Sequence, residues 1–217
     1  MDTLPPALRA MGAMRRARRR ERARVSQALH DTVGQALTAV GLELDLIGLD
    51  FGAANLALAA RVAAVQRTLD GAFQSVRALA RDTHPAPAAR FGLGHALERL
   101  VERARGASQA AIEAELDGTA APGEAVAEAF YECIAEALGN AIEHAGAARI
   151  RVALHRAPGA LVAEVSDDGR GFERAEVVPG VGFLTYEYHE ALGLVYVKLE
   201  TNVGQGTGVT LISPDRD

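Results

Sequence analysis

Five short stretches of this chain carry residue types that could do chemistry. The first is Ala28-Leu29-His30-Asp31-Thr32-Val33-Gly34-Gln35. On a helix Leu29 and Val33 share one apolar stripe, which turns His30 to its edge, and Gly34 leaves space beside the imidazole. With Asp31 to hold or accept the Nδ1 proton, Nε2 could attack an electrophilic phosphorus, and Gln35 could orient a water. An ordinary surface histidine is the plainer alternative and stays open at this point. The second stretch is a ladder of Glu132, Glu136, Asn140 and His144, spaced four apart on one stripe of a helix, with Phe130, Ile134, Ala137 and Ile142 opposite. A solvated face usually mixes Lys, Arg and Glu. This one offers carboxylate, amide and imidazole, whose oxygens suit Mg²⁺, an ion that keeps several waters and is shared with substrate phosphates. A merely solvated stripe is equally open.

The other three are glycine-rich. Val165-Ser166-Asp167-Asp168-Gly169-Arg170-Gly171-Phe172 ends a strand, so a carboxylate there could accept a hydrogen bond from the exocyclic amine of a purine. Gly180-Val181-Gly182-Phe183 and Gly204-Gln205-Gly206-Thr207-Gly208 follow. Taken singly each is weak, since ordinary turns use glycine for the same backbone freedom.

The elements that must hold these residues follow from periodicity. Val25, Leu29, Val33, Leu37, Val40, Leu44 and Ile47 recur at steps of three and four, so a long amphipathic helix is expected from about Met14 to Asp50. After a turn at Phe51 to Asn55, Leu56, Val62, Val65, Leu69, Phe73, Val76 and Leu79 trace a second long helix, ending near Thr83 because Pro85 and Pro87 disfavour helix. Such an antiparallel hairpin cannot bury all its apolar surface alone, and pairing with a second copy as a four-helix bundle is the economical solution. Beyond a boundary at Thr83 to Phe91 the pattern turns mixed. Helices are expected at about Leu93–Arg105 and Glu124–His144, with strands near Ile112, Ile150–Leu154, Leu161–Val165, Val195–Leu199 and Thr207–Ile212. This predicts an α+β chain whose second part is an α/β sandwich with helices on one face of a mixed sheet.

Composition narrows the function classes. The 217 residues suit one large domain or two small ones, and the chain is rich in alanine with no Trp. Eight arginines precede Val25 against only Asp2 and Glu21, which leaves an acidic remainder with 15 basic and 26 acidic groups. The basic run could be a nucleic-acid arm, a juxtamembrane segment or the solvated start of a helix. The single Cys133 excludes an internal disulfide and any cysteine zinc cluster. No uninterrupted run of about 18 apolar residues and no signal-peptide pattern is seen, so a cytoplasmic chain is expected.

The order of the five stretches is far more specific than any one. From about residue 20 to 213 the chain resembles a sensor histidine kinase core, closest to the subfamily that partners LuxR-type (NarL-like) response regulators. Leu29-His30-Asp31 through Gly34-Gln35 looks like its histidine motif, and His84-Pro85, Gly92-Leu93 and Ala96-Leu97 look like its hinge. The resemblance implies a tail over 1–14, a dimerisation and phosphoacceptor hairpin over 15–84, a hinge over 85–92, and over 93–217 an ATP-binding domain of the histidine kinase, gyrase, Hsp90 and MutL type. By the same resemblance His30 is the phosphoacceptor, Asp31 its proton acceptor, and Gln35 the residue that orients water when a regulator is dephosphorylated. Asn140 is the Mg²⁺ ligand, Glu136 assists through water or as a base, and His144 lies near the phosphates. Asp167 binds the adenine amino group, Gly169, Gly171 and Thr207 shape that pocket, and Gly180 and Gly182 flank a lid. The implied cofactors are ATP and Mg²⁺, and the implied partners are a second copy of the chain and a receiver domain, with no direct nucleic acid. The arginine run then reads as the entry of a signalling helix, and a membrane enters only through a missing or separate sensor segment.

Three departures matter. Glu143 stands where the family commonly has a basic residue. After Gly182 the chain reads Phe183-Leu184-Thr185-Tyr186-Glu187-Tyr188-His189-Glu190 in place of an Arg-Glu-Arg type helix, and only Arg170 and Lys198 lie near in sequence. No sensor is evident. A histidine phosphotransfer or scaffold protein with a degenerate ATP-binding domain is therefore the alternative.

Overall fold

The computed structural model describes residues 4–51, 55–82, 86–118, 121–173 and 181–215. The middle of the expected turn after Phe51, the His84-Pro85 pair and Gly180 lie outside them. Two compact units divide the chain, Arg16–Pro85 and a second made of Met1–Arg15 with Ala86–Asp217.

In the helical unit, α1 (Pro6–Ala28) passes through a π-helical turn, Leu29–Gly34, into α2 (Gln35–Phe51), and α3 (Leu56–Asp82) follows. A Cβ at Gly41 would lie 3.4 Å from Leu69, Gln66 Nε2 donates to Asp45 Oδ1 at 2.7 Å, and a Cβ at Gly48 would lie 3.9 Å from Val62. Numbers rise on α2 as they fall on α3, so the two are antiparallel, as the apolar steps predict. The small glycines let the helices approach. Yet α2 buries no residue, and Val40 and Ile47, one heptad apart, stay 48% and 38% exposed. An 18-residue window of the continuous helix Pro6–Phe51 reaches a mean hydropathy of 1.2 with none of it buried. By length and composition alone it could cross a membrane, a property of the average that the search for an uninterrupted run does not reveal.

The second unit is built on a five-stranded sheet in the order β1-β2-β3-β5-β4. Its strands are β1 (Ala111–Leu116), β2 (Arg149–Ala157), β3 (Ala160–Asp167), β4 (Tyr196–Thr201) and β5 (Thr207–Pro214). β1 runs parallel to β2 and the other pairings are antiparallel, which gives the mixed sheet expected. Alternate residues Ile150, Val152 and Leu154 of β2, Leu161, Ala163 and Val165 of β3, and Val209 and Leu211 of β5 are buried. Against that face pack α5 (Leu93–Ala107), α6 (Glu124–Asn140) and α7 (Val181–Ala191), α4 (Pro87–Phe91) sits against α5 and α6, and Leu93, Leu97, Phe130, Ile134 and Leu138 lie in the core. A π-helical turn, Ala141–Ala145, extends α6 and ends at Gly146 in the left-handed conformation.

Two boundaries differ from expectation. Helix α1 starts at Pro6, not near Met14, because Leu8 and Met11 are buried in the second unit at 6% and 5% exposure. Arg15 there pairs with Glu132 of α6, and its guanidinium lies 5.5 Å over the Tyr188 ring of α7. The supposed tail is thus helical from Pro6. The segment expected as a hinge holds α4, whose Pro87 and Ala88 are buried.

Cys133 is fully buried in α6, and that burial pushes its thiol up to about 12. The thiolate is the reactive form, so no labelling by a thiol-specific disulfide reagent is expected over an hour at pH 8 until the protein is unfolded. Rapid native-state labelling would contradict this core placement.

Candidate functional site

The polar ladder and three of the sequence stretches meet in the second unit. Asn140, Ala141, His144, Val165, Asp167, Gly171, Phe172, Phe183, Tyr186, Leu199, Thr207 and Val209 are among the residues lining one cavity of about 350 Å³. That volume suits a small organic ligand, and its walls are mostly apolar with a few convergent polar groups. Asp167 and Thr207 face each other across β3 and β5, at the ends of both strands. Asp167 Oδ1 accepts the Gly169 amide at 2.9 Å. Gly169 acts through this bond and does not itself line the cavity.

The ladder is no solvated stripe. Glu132, Glu136 and Asn140 are half-buried, and Asn140 Nδ2 donates to Glu136 Oε1 at 3.2 Å. A carboxylate only accepts, so this contact settles which end of the amide is nitrogen and leaves Oδ1 as the hard donor. No group of three or more His, Cys, Asp or Glu among the described residues could hold a metal by itself. An amide oxygen on the wall of a cavity fits Mg²⁺ that is shared with phosphates, and Asn140 would hold it with Glu136 behind. His144 lies beyond the helix proper in the π-helical turn, exposed, with Glu143 Oε2 3.9 Å from its Nε2.

Neighbouring carboxylates on one strand end take separate tasks. Asp168 Oδ1 accepts the backbone amides of Ala148 and Arg149, each at 2.8 Å, and chiefly the Arg149 bond holds its carboxyl below the ordinary range. A depressed folded-state value stabilises above the unfolded pKa and is lost as pH falls through the folded one. Asp168→Asn is therefore expected to lower the melting temperature at pH 7, with the gap to wild type narrowing below about pH 4. A gap independent of pH would contradict the ionic origin.

In the helical unit the π-helical turn spans Leu29–Gly34 and so contains His30 and Asp31. Such turns carry one residue more than an α-helical turn and recur at functional sites. The Thr38 hydroxyl donates to the Gly34 carbonyl at 2.9 Å on its C-terminal side, and Asp31 Oδ2 accepts from Gln27 Nε2 at 2.6 Å. Gln35 is exposed, and the His30 imidazole lies outside the described side chains.

Residues 21–88 match the family model described as histidine kinase, and residues 125–216 match that of the histidine kinase-, DNA gyrase B- and HSP90-like ATPases. The chain belongs to the histidine kinase family. Sensor histidine kinase MctS of Rhizobium johnstonii is 33% identical over 156 residues, which cover 70% of this chain and 33% of that protein. The chain thus spans about a third of the length of that curated relative. Among solved structures, the blue-light activated histidine kinase of Erythrobacter litoralis EL346 matches with a TM-score of 0.51 at 20% identity, over 72% of this chain and 51% of that one. The histidine kinase domain of the same protein matches at 0.51 and 19%, over 81% and 94%. These likenesses establish the fold, and the ATPase match makes the second unit an ATP-binding domain.

Sequence reasoning missed the aromatic wall. Phe183 and Tyr186 of α7 line the cavity, with ring centroids 6.4 Å apart, and Phe172 meets Phe183 at the same distance, both edge to face. The spacing of three on one helix was the available signal. Arg170 also lines the cavity, although its position matches no basic residue of the family.

Proposed function

We propose that this chain is the dimerising, ATP-using core of a two-component kinase. His30 Nε2 takes the γ-phosphoryl group of ATP as the bond to the bridging β,γ-oxygen breaks and ADP leaves, and the phosphohistidine then passes the group to an aspartate of a LuxR/NarL-type receiver domain. The observation that carries this reading is the convergence of Asn140, His144, Asp167 and Thr207, from three separate segments, on one cavity. Phosphoryl transfer asks a protein for positioning and charge neutralisation more than for covalent chemistry. Asp167 orients the base, Thr207 closes that end, and Asn140 with Glu136 hold the Mg²⁺ that neutralises the phosphates. Gly171 shapes the pocket, and Gly180 and Gly182 flank a lid over the phosphates. Asp31 serves the His30 Nδ1 proton with the oxygen that Gln27 does not occupy. Gln35, exposed one turn on, orients water for dephosphorylation of the regulator.

Dimerisation follows from the exposed stripe of α2. Val40→Arg with Ile47→Glu is expected to turn a dimer into a monomer by light scattering, and a dimer that survives both charges would remove this stripe from the interface. In this reading the hydropathic window of the continuous helix is a protein-facing seam of a cytoplasmic core.

The kinase reading is tested by incubation with Mg²⁺ and γ-labelled ATP. Acid-labile, base-stable label on the protein is expected. Tight nucleotide binding without label would favour the scaffold alternative, which has one observation behind it: Glu143 lies beside His144 and would repel a triphosphate.

A further inference from the structure

The first turns of α1 group with the ATP-binding domain, although the helix runs on without a break into the other unit. Leu8, Met11, Gly12 and Arg15 recur at steps of three and four, so they share one face. That face is docked. Leu8, Met11 and Gly12 are buried and the Arg15 side chain is 14% exposed, whereas Ala10, Ala13 and Met14 between them face solvent.

Arg15 ties this face to two helices at once. Its guanidinium pairs with Glu132 Oε2 of α6 and lies over the Tyr188 ring of α7, 5.5 Å from the centroid. The same Oε2 accepts from His189 Nε2 of α7 at 2.9 Å, and the His189 ring is buried. A carboxylate largely withdrawn from water needs its charge balanced, and Arg15 balances it while His189 fills a hydrogen-bonding position. One carboxylate thus joins α1, α6 and α7. The joint and the cavity share two of those helices: Phe183 and Tyr186 of α7 line the cavity, as does Asn140, two turns beyond Glu132 on α6. A helix shifts as a unit, so freeing Tyr188 and His189 also frees the wall that Phe183 and Tyr186 form.

We infer that residues 6–15 are a strap whose docking through Leu8, Met11 and Arg15 holds α7 against α6 and so sets the affinity of the cavity for nucleotide. This rests on the reading above in which the cavity holds ATP. Past Arg15 the strap continues as the helix that enters the π-helical turn with His30. The element that presents the phosphoacceptor is therefore also the element that fastens the cavity wall, and whatever displaces the start of α1 changes nucleotide binding. Coupling of this kind is reciprocal: if docking tightens nucleotide binding by some factor, nucleotide tightens docking by the same factor.

The test is binding of a fluorescent ATP analogue to the full chain in Mg²⁺, for wild type, Arg15→Ala, and Leu8→Asp combined with Met11→Asp. The paired substitution puts carboxylates on the buried face and leaves Glu132, Tyr188 and His189 in place. Both variants are expected to bind about tenfold more weakly than wild type, within the ordinary range of coupling between two sites. Wild-type affinity in both, whatever their melting temperatures, overturns the inference and leaves the strap a purely structural contact. Wild type that binds no nucleotide overturns the reading of the cavity and the inference with it. Reciprocity gives a second measurement that needs no variant and decides the matter should the variants not fold. In wild type, hydrogen exchange of the amides of residues 8–15 is expected to slow about tenfold when the analogue saturates the cavity. Exchange indifferent to nucleotide overturns the strap.

Discussion

His30→Gln is expected to take up no acid-labile phosphate from Mg-ATP while binding nucleotide within about twofold of wild type. The two halves of that result come from different parts of the chain. The cavity belongs to the unit formed by Met1–Arg15 and Ala86–Asp217, whereas His30 lies in Arg16–Pro85. Glutamine is a good helix former and polar, so the helix keeps its propensity and its solvation, at a cost within about 0.5 kcal/mol. It lacks the ring nitrogen that in the proposed reaction bonds to phosphorus. The loss is therefore total, below the detection limit of labelling, where a residue that only orients a partner would leave a slow residual rate. Label retained at the wild-type level would move the phosphoacceptor elsewhere, and loss of nucleotide binding would show that the substitution had disturbed more than the nucleophile.

How far these residues could be read beforehand depends on what each signal measures. Steps of three and four found the hairpin, α5 and α6 because burial on one face repeats with the helical turn, and alternation found β2 and β3 for the corresponding reason. The same periodicity is blind to one added residue, so neither π-helical turn was visible, although one holds His30 and the other His144. The start of α1 is not legible in the sequence, because arginines dominate its composition and the burial of Leu8 and Met11 depends on residues distant in sequence. Asp167 and Asp168 look interchangeable in the sequence. Their tasks separate only once Asp168 is seen to accept two amides from the start of β2. The α7 departure was read as missing phosphate partners, because the family pattern there is basic. What α7 supplies instead, an aromatic wall and the His189 contact to Glu132 of the ladder, depends on its packing on α6.

Gly206→Ala is expected to cause a large loss of stability, and Gly204→Ala is the matched comparison. Both glycines have left-handed backbones, with φ of +79° and +77°, so both pay the cost of placing a side chain there, about 1–2 kcal/mol. A Cβ at Gly204 would meet nothing within 4 Å. At Gly206 it would fall 1.9 Å from the carbonyl oxygen of Asp167 and 2.8 Å from its carbonyl carbon. Both are backbone atoms of β3 and cannot swing aside as a flexible side chain would. Overpacking adds about 1–3 kcal/mol, for a total near 3 kcal/mol and a fall of roughly 10 °C in melting temperature, against a few degrees for Gly204→Ala. The displaced strand end carries Asp167, which faces Thr207 across the sheet, so the cavity opens at the end where the proposed reading places the base. Nucleotide affinity should fall in Gly206→Ala and stay near wild type in Gly204→Ala. Equal melting temperatures for the two variants would mean that the loop yields without moving β3, and that the close approach of Gly206 to Asp167 does not set the shape of the pocket.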